Sequence, residues 1–124
     1  MAKTKINPDN GKYKIGGNKD TDLEGIDSSQ YDVYTETEKL AEAQQKFGNI
    51  KWFASFTITH KDGTPVGEMA AYTIKFDKPK QDDDNFKLYY YLGGNTYEVG
   101  HQSENSKRSK ATLTLGDPPV GSVP

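Results

Sequence analysis

The chain has 124 residues, a formal net charge of −2 at pH 7 and no cysteine. One domain with a real core fits this length, and the missing cysteines exclude disulfides, thiolate nucleophiles and cysteine-ligated zinc. The negative charge and the single arginine, Arg108, argue against nucleic-acid binding, which depends on Lys and Arg contacts to phosphate.

The first thirty residues are polar, and we expect a mobile or extended arm over residues 1–30. Within it, Lys12–Ile15 is predicted to be a short edge strand that Gly16 and Gly17 stop. The start of the chain has no apolar stretch of the signal-peptide type, and no segment approaches transmembrane length. We therefore expect a soluble protein without membrane insertion, either cytoplasmic or excised from an exported chain.

A single helix is predicted over residues 36–47. Thr35 and Glu38 have the spacing of a capping box, in which each side chain satisfies an unpaired backbone amide. An apolar stripe follows the helical repeat through Leu40, Ala43 and Phe47. Gly48 supplies the left-handed residue that ends the helix. Before the helix, a short strand is predicted near Tyr31.

From Ile50 to Leu115 apolar and polar residues alternate, which predicts a five-strand antiparallel meander with one dry face. The loop after His60 tests the register of the first pair of strands. A two-residue turn would place Tyr72 on the wrong face, because a one-residue slip inverts every side chain. A three-residue loop ending at Gly63 instead pairs Ile58 with Val66, Trp52 with Tyr72 and Ile50 with Ile74.

The same reasoning at Gly93-Gly94 favours a two-residue turn, which pairs Tyr90 with Tyr97 and Leu88 with Val99. The Pro/Gly tail, residues 117–124, is predicted to be a linker, because proline lacks the amide donor of a strand interior.

The predicted fold is therefore mainly β: a meander with one N-terminal helix, in a single β-rich domain over residues 31–116. Short strands near Tyr13 and Tyr31 would add a second layer and give a small β-sandwich. The alternative is an α+β arrangement with the helix packed on one sheet face.

Three outward-facing aromatic residues are the candidate ligand-binding site: Tyr89, Tyr91 and Phe53, with Met69 beside them. An exposed aromatic patch suits a sugar ring or a partner protein. The ordinary structural explanation is that the helix stripe, or a second sheet, covers the patch.

Other polar groups carry weaker signals. Asp82, Asp83 and Asp84 form an oxygen-rich loop of a kind that can bind calcium, but such a run is more often a solvated acidic loop. Glu68 has the inward parity of its strand and is expected to face Phe56 rather than His60, at an end of the sheet that is more simply explained as a wet rim. No triad or metal spacing connects Glu68, His60 and His101. We expect no cofactor, no metal and no catalytic residue.

The segment Phe86–Val99, with its aromatic strand and diglycine turn, resembles the late hairpin of modular bacterial surface β-sandwiches. This resemblance implies a structural or binding role of a bacterial surface or phage-like kind.

Without a catalytic motif, the expected function is a non-enzymatic structural or protein-interaction module that acts through a β-sheet surface. The expected partner is another protein, or a second copy that pairs through a sheet edge or the N-terminal arm. The alternatives are a carbohydrate-binding domain that uses the outward tyrosines and a small hydrolase-like enzyme.

Overall fold

The computed structural model describes residues 3–16, 20–36 and 39–123, and it is mainly β, as the sequence predicts. These residues form one helix, α1 (Leu40–Phe47), and twelve strands. The strands are β1 (Lys3–Ile6), β2 (Lys12–Lys14), β3 (Thr21–Glu24), β4 (Tyr31–Glu36), β5 (Trp52–Ala54), β6 (Phe56–His60), β7 (Glu68–Asp77), β8 (Lys87–Leu92), β9 (Asn95–Val99), β10 (Gln102–Ser103), β11 (Arg108–Leu115) and β12 (Val120–Val123).

The strands form three antiparallel sheets: β1-β4-β6, β10-β11-β7-β3-β2 and β5-β12-β8-β9. One continuous cluster of buried side chains includes residues of all three sheets. Trp52 of β5 stacks on Phe76 of β7 with ring centroids 4.3 Å apart, and Phe56 of β6 meets Tyr72 of β7 edge to face at 6.2 Å. The five-stranded sheet therefore faces the other two across a shared core, as in a small sandwich.

The predicted pairing of Trp52 with Tyr72 and of Ile50 with Ile74 is wrong. Trp52 pairs with Ser122, whereas Tyr72 pairs with Leu113. The cause is a break at Ser55, where one continuous predicted strand becomes β5 and β6, and these two join different sheets.

The three-residue loop itself is confirmed. Gly63 has a φ of 87°, the His60 N–H donates to the Thr64 carbonyl oxygen at 2.9 Å, and the Val66 N–H donates to the Ile58 carbonyl oxygen at 3.3 Å. Beyond Val66 the two strands no longer pair, because the backbone of Gly116 lies between them. The Ile58 N–H donates to the Gly116 oxygen, and the Gly116 N–H donates to the Gly67 oxygen. A Cβ at Gly116 would lie 2.2 Å from the Val66 oxygen, so this approach requires glycine.

The β8–β9 hairpin is confirmed in turn and register. Tyr90 pairs with Tyr97 and Leu88 with Val99, across a two-residue turn. Gly93 and Gly94 both have positive φ values, 58° and 81°. This is the primed turn whose twist matches the flanking strands.

The prediction that the tail leaves the sheet is wrong, because β12 lies between β5 and β8. Val120 and Ser122 are fully buried there. Pro118 and Pro119 precede the strand, so neither removes a donor from its ladder.

The segment expected to be an extended arm contains three strands. β1 pairs with β4, and β3 lies between β2 and β7. Tyr13 and Leu23 are buried in the main core. The predicted edge strand near Lys12 is confirmed as β2, and the predicted short strand near Tyr31 as β4.

The helix ends at Gly48 (φ 87°) as predicted, but it begins at Leu40 rather than at residue 36. Thr35 lies in β4, where its hydroxyl donates to the Ser55 oxygen at 3.2 Å and accepts a hydrogen bond from the Gly16 N–H. The predicted capping partner, Glu38, lies outside the described residues. Within the described chain no helix has the length and apolarity to cross a membrane.

Candidate functional site

The predicted aromatic site is brought together by the fold, but the helix covers most of it. Phe47 of α1 stacks on Tyr91 with ring centroids 4.1 Å apart and on Phe53 at 5.6 Å. Phe53 is 1% exposed and Tyr91 8%. Tyr89 is half-buried at the rim, and Met69 packs against the main core instead. A sugar ring that stacks on aromatic faces would therefore find only the rim tyrosine accessible.

Burial also affects the chemistry of this cluster. The pKa of Tyr91 is raised by desolvation and by the neighbouring Tyr89 hydroxyl. The Tyr91 side chain is therefore a neutral phenol at physiological pH, able to donate or accept a hydrogen bond.

A groove of about 470 Å³ lies beside the cluster, between the end of α1 and the β8–β9 turn. Phe47 and Tyr91 contribute aromatic walls, and Lys46 and Asp117 contribute one charge of each sign. The groove borders the β8–β9 hairpin.

Leu92 and Tyr97 are the large apolar side chains most exposed among the described residues, at 40% and 42%. Both belong to the β8–β9 hairpin. Tyr97 stacks on Tyr90 with ring centroids 5.0 Å apart, so one face of the Tyr97 ring is held in place while the rest meets solvent.

Strand β9 forms an edge of the four-stranded sheet, and no strand of the described chain pairs with its outer side. Its residues are exposed except for the half-buried Val99. The sequence Asn95-Thr96-Tyr97-Glu98-Val99 contains neither lysine nor proline, the residues that commonly protect an edge from pairing.

The other edge strands of the described residues are protected. β1 carries Lys3 and Lys5, and β2 carries Lys12 and Lys14. β10 has only two residues, and β5 has three, all buried. The outer side of β6 is hydrogen-bonded to the backbone near Gly116. β9 is the exception among them.

The direction of the backbone groups on β9 follows from one hydrogen bond on the opposite side of β8. The Tyr91 N–H donates to the Pro119 oxygen at 2.9 Å, so it points away from β9. Tyr91 and its partner Thr96 therefore form a non-hydrogen-bonded pair. Because the pattern alternates, the N–H and C=O groups of Thr96 and Glu98 point outward, while those of Tyr97 point to β8.

The residues of the hydrolase-like alternative lie on separate elements. His60 ends β6 near the Tyr31 ring, whereas His101 stacks on Phe86 at 4.0 Å and its Nε2 lies 2.7 Å from the Phe86 oxygen. Glu68 is exposed, as expected for a wet rim at this end of the sheet, and it does not face the core. A register shift opposite Leu113–Leu115 changes the facing of β7 at that end.

The acidic loop is held by lysine and by its own backbone. The Lys78 ammonium lies 2.8 Å from Asp84, and Asp83 accepts a hydrogen bond from the Asn85 N–H. Over the described residues, no group of three or more His, Asp or Glu side chains is arranged to hold a metal ion.

No protein-family model matches the chain, and neither the curated proteins nor the solved structures give a match. The site therefore rests on its own geometry. Sequence reasoning placed β9 in the correct hairpin but did not single it out. The available signal was its lack of lysine, beside lysine-bearing strands elsewhere.

Proposed function

We propose that this protein is a non-enzymatic protein-interaction domain that binds an extended polypeptide segment by strand addition to β9. The observation that carries the proposal is the edge itself: a five-residue, lysine-free strand whose outer side is paired with no strand of the described residues. Such an edge offers a template of unpaired N–H and C=O groups to another chain.

A segment added to β9 would have to match its backbone groups and its side chains. It pairs with the outward N–H and C=O groups of Thr96 and Glu98, so it is extended and free of proline at the pairing positions. Leu92 and Tyr97 favour apolar side chains on their face of the sheet. The Glu98 carboxylate favours a basic or hydroxyl side chain on the other face.

The test is selection of binders from a random peptide library, followed by NMR mapping of the selected peptides on the labelled protein. We expect peptides with alternating apolar residues that shift the Thr96 and Glu98 amides most strongly. Selected peptides that map instead to the α1 groove, or a library that yields no binder, would contradict the proposal.

A matched pair of variants at one position isolates the backbone contribution. Glu98→Pro removes an outward N–H, whereas the bonds between β8 and β9 use Tyr97 and Val99. Glu98→Gln keeps that N–H and removes only the charge. We expect the peptide affinity of the proline variant to be at least tenfold lower than that of the glutamine variant. NMR should show the β8–β9 hairpin intact in both variants.

A further inference from the structure

We propose that the segment added to β9 is β9 of a second copy of this chain, which gives a symmetric dimer with a continuous eight-stranded sheet. This inference rests on the proposed strand addition and names its partner. Identical antiparallel strands pair across a twofold axis, so the register is fixed by the residue on that axis.

Two observations place the axis at Tyr97. Tyr97 is the middle residue of the five, so this register pairs the whole strand: Asn95 with the partner's Val99 and Thr96 with the partner's Glu98. The direction of the backbone groups agrees with this register: the N–H and C=O groups of Thr96 and Glu98 point outward, so each Thr96 and the partner's Glu98 would form a hydrogen-bonded pair. Tyr97, whose groups bond β8, falls at a non-hydrogen-bonded pair.

The charges on β9 fit this register. Glu98 is the only charged residue of the strand, and it lies opposite a threonine hydroxyl, which can donate to it. An axis at Glu98 would instead set two carboxylates directly against each other, which is destabilising. It would also leave Asn95 and Thr96 without a partner in the opposing strand.

The exposed tyrosine also gains a partner. Side chains of a non-hydrogen-bonded pair approach most closely, so the two Tyr97 rings would meet at the axis. Each already stacks on its own Tyr90 at 5.0 Å, and the dimer would join the two stacks into a row of four rings. Aromatic pairs of this kind are among the stronger cross-strand contacts.

One strand pair is a small interface, so we expect a concentration-dependent dimer of the weak class. Light scattering should show the average mass rising from 13.8 kDa toward twice that value as the protein concentration increases.

The absence of cysteine makes the register directly testable. Under mild oxidation, Tyr97→Cys should give a disulfide-linked dimer, because non-hydrogen-bonded antiparallel pairs have Cα atoms about 4.5 Å apart, within disulfide range. Thr96→Cys is the matched control: its two copies are offset along the strands, so cross-linking should be at least several-fold slower. Equal cross-linking of the two variants would overturn the register.

Charge substitutions test the pairing without a cross-link. Thr96→Lys sets an ammonium against the partner's Glu98 at two symmetric places, and Thr96→Glu sets a carboxylate there. We expect the association constant of the dimer to rise about fivefold in the Thr96→Lys variant and to fall about fivefold in the Thr96→Glu variant. The same response from both variants would contradict the pairing of Thr96 with Glu98.

The outcomes separate this inference from the function on which it rests. A chain that stays monomeric at every concentration, yet binds library peptides along β9, overturns self-pairing and leaves strand addition standing. A chain that neither dimerises nor binds peptides at β9 overturns both.

Discussion

Arg108 is the only arginine of the chain, and it connects several elements of the five-stranded sheet. Its guanidinium lies 3.1 Å from Asp22 of β3, 3.2 Å from Asp77 of β7 and 3.3 Å from Asp20. The second Asp22 oxygen is buried and has no hydrogen-bond partner among the described residues, so this carboxylate depends on the arginine.

Replacing Arg108 by alanine should destabilise the fold by about 1–3 kcal/mol, because it leaves a partly buried carboxylate without its counter-ion. The control is Lys14→Ala, whose side chain is 74% exposed and 3.6 Å from Asp20, with an expected cost under about 0.5 kcal/mol. Urea unfolding of both variants measures the difference, and equal unfolding free energies would refute the assigned role.

At the scale of elements, α1 acts as a cover over one face of the β5-β12-β8-β9 sheet. Ala43 is fully buried, and Leu40 and Phe47 pack on the same cluster. The apolar stripe of the sequence predicted this face correctly. Gln44 fixes the end of the helix, because its side-chain amide donates to the Ile50 oxygen at 2.8 Å.

Phe47→Ala removes the ring that contacts both Phe53 and Tyr91, and we expect it to cost about 2–4 kcal/mol. Gln45→Ala, on the exposed side of α1, is the control and should change the unfolding free energy by less than about 0.5 kcal/mol. Thermal unfolding followed by circular dichroism compares the two. A Phe47 variant as stable as the control would show that the helix is not a cover.

What the sequence predicted at this scale was local. The diglycine turn and the three-residue loop depend on neighbouring residues, and both are confirmed. The pairing of Trp52 depended on the break at Ser55 and on a strand seventy residues further along the chain, near Ser122. No alternation within residues 50–76 could reveal that a segment beyond two prolines lies between β5 and β8.

The candidate site divides in the same way. The alternation correctly placed Tyr91 and Phe53 on one face, and the sequence offered the helix stripe or a second sheet as their cover; the helix is the cover observed. The lack of lysine was the signal that β9 carried in its own residues, but it does not show that the strand lies at an edge, because an edge is defined by the absence of a neighbour. That absence emerges only when all three sheets are assembled.

At the scale of the whole molecule, ionised pairs distributed over the sheets set the pH range of stability. Hydrogen bonds from Lys75 and Lys12 lower the pKa of Glu24, and those from Lys61 and Lys5 lower the pKa of Asp32. A lowered carboxyl pKa adds stability above the unfolded value of about 4, and this stability is lost as the pH falls.

At alkaline pH the relevant groups have raised pKa values, so stability is lost as the pH rises. Hydrogen bonds to Glu104 and Glu24 raise the pKa of Lys75, and burial raises that of Tyr72, whose hydroxyl donates to the Leu115 oxygen. Their stabilisation is complete below the unfolded values of about 10 and is lost as the pH rises through the folded values.

We therefore expect the unfolding free energy to be highest between about pH 5 and pH 9, and to fall on either side. Urea titrations across this range measure the curve. The Asp32→Asn variant should lose less stability than the parent protein as the pH falls, and the Tyr72→Phe variant should lose less as the pH rises. An acid limb unchanged in Asp32→Asn would refute the role of this carboxylate.

Amide hydrogen exchange of Thr96, Tyr97 and Glu98 tests most directly whether the outer side of β9 is free to pair with another strand. In dilute protein the Tyr97 amide should be protected by its bond to β8, while the Thr96 and Glu98 amides exchange freely. Protection of those two should appear as the concentration rises or as a selected peptide is added. Thr96 and Glu98 amides that are already protected in the dilute monomer, or that never become protected, would contradict the account.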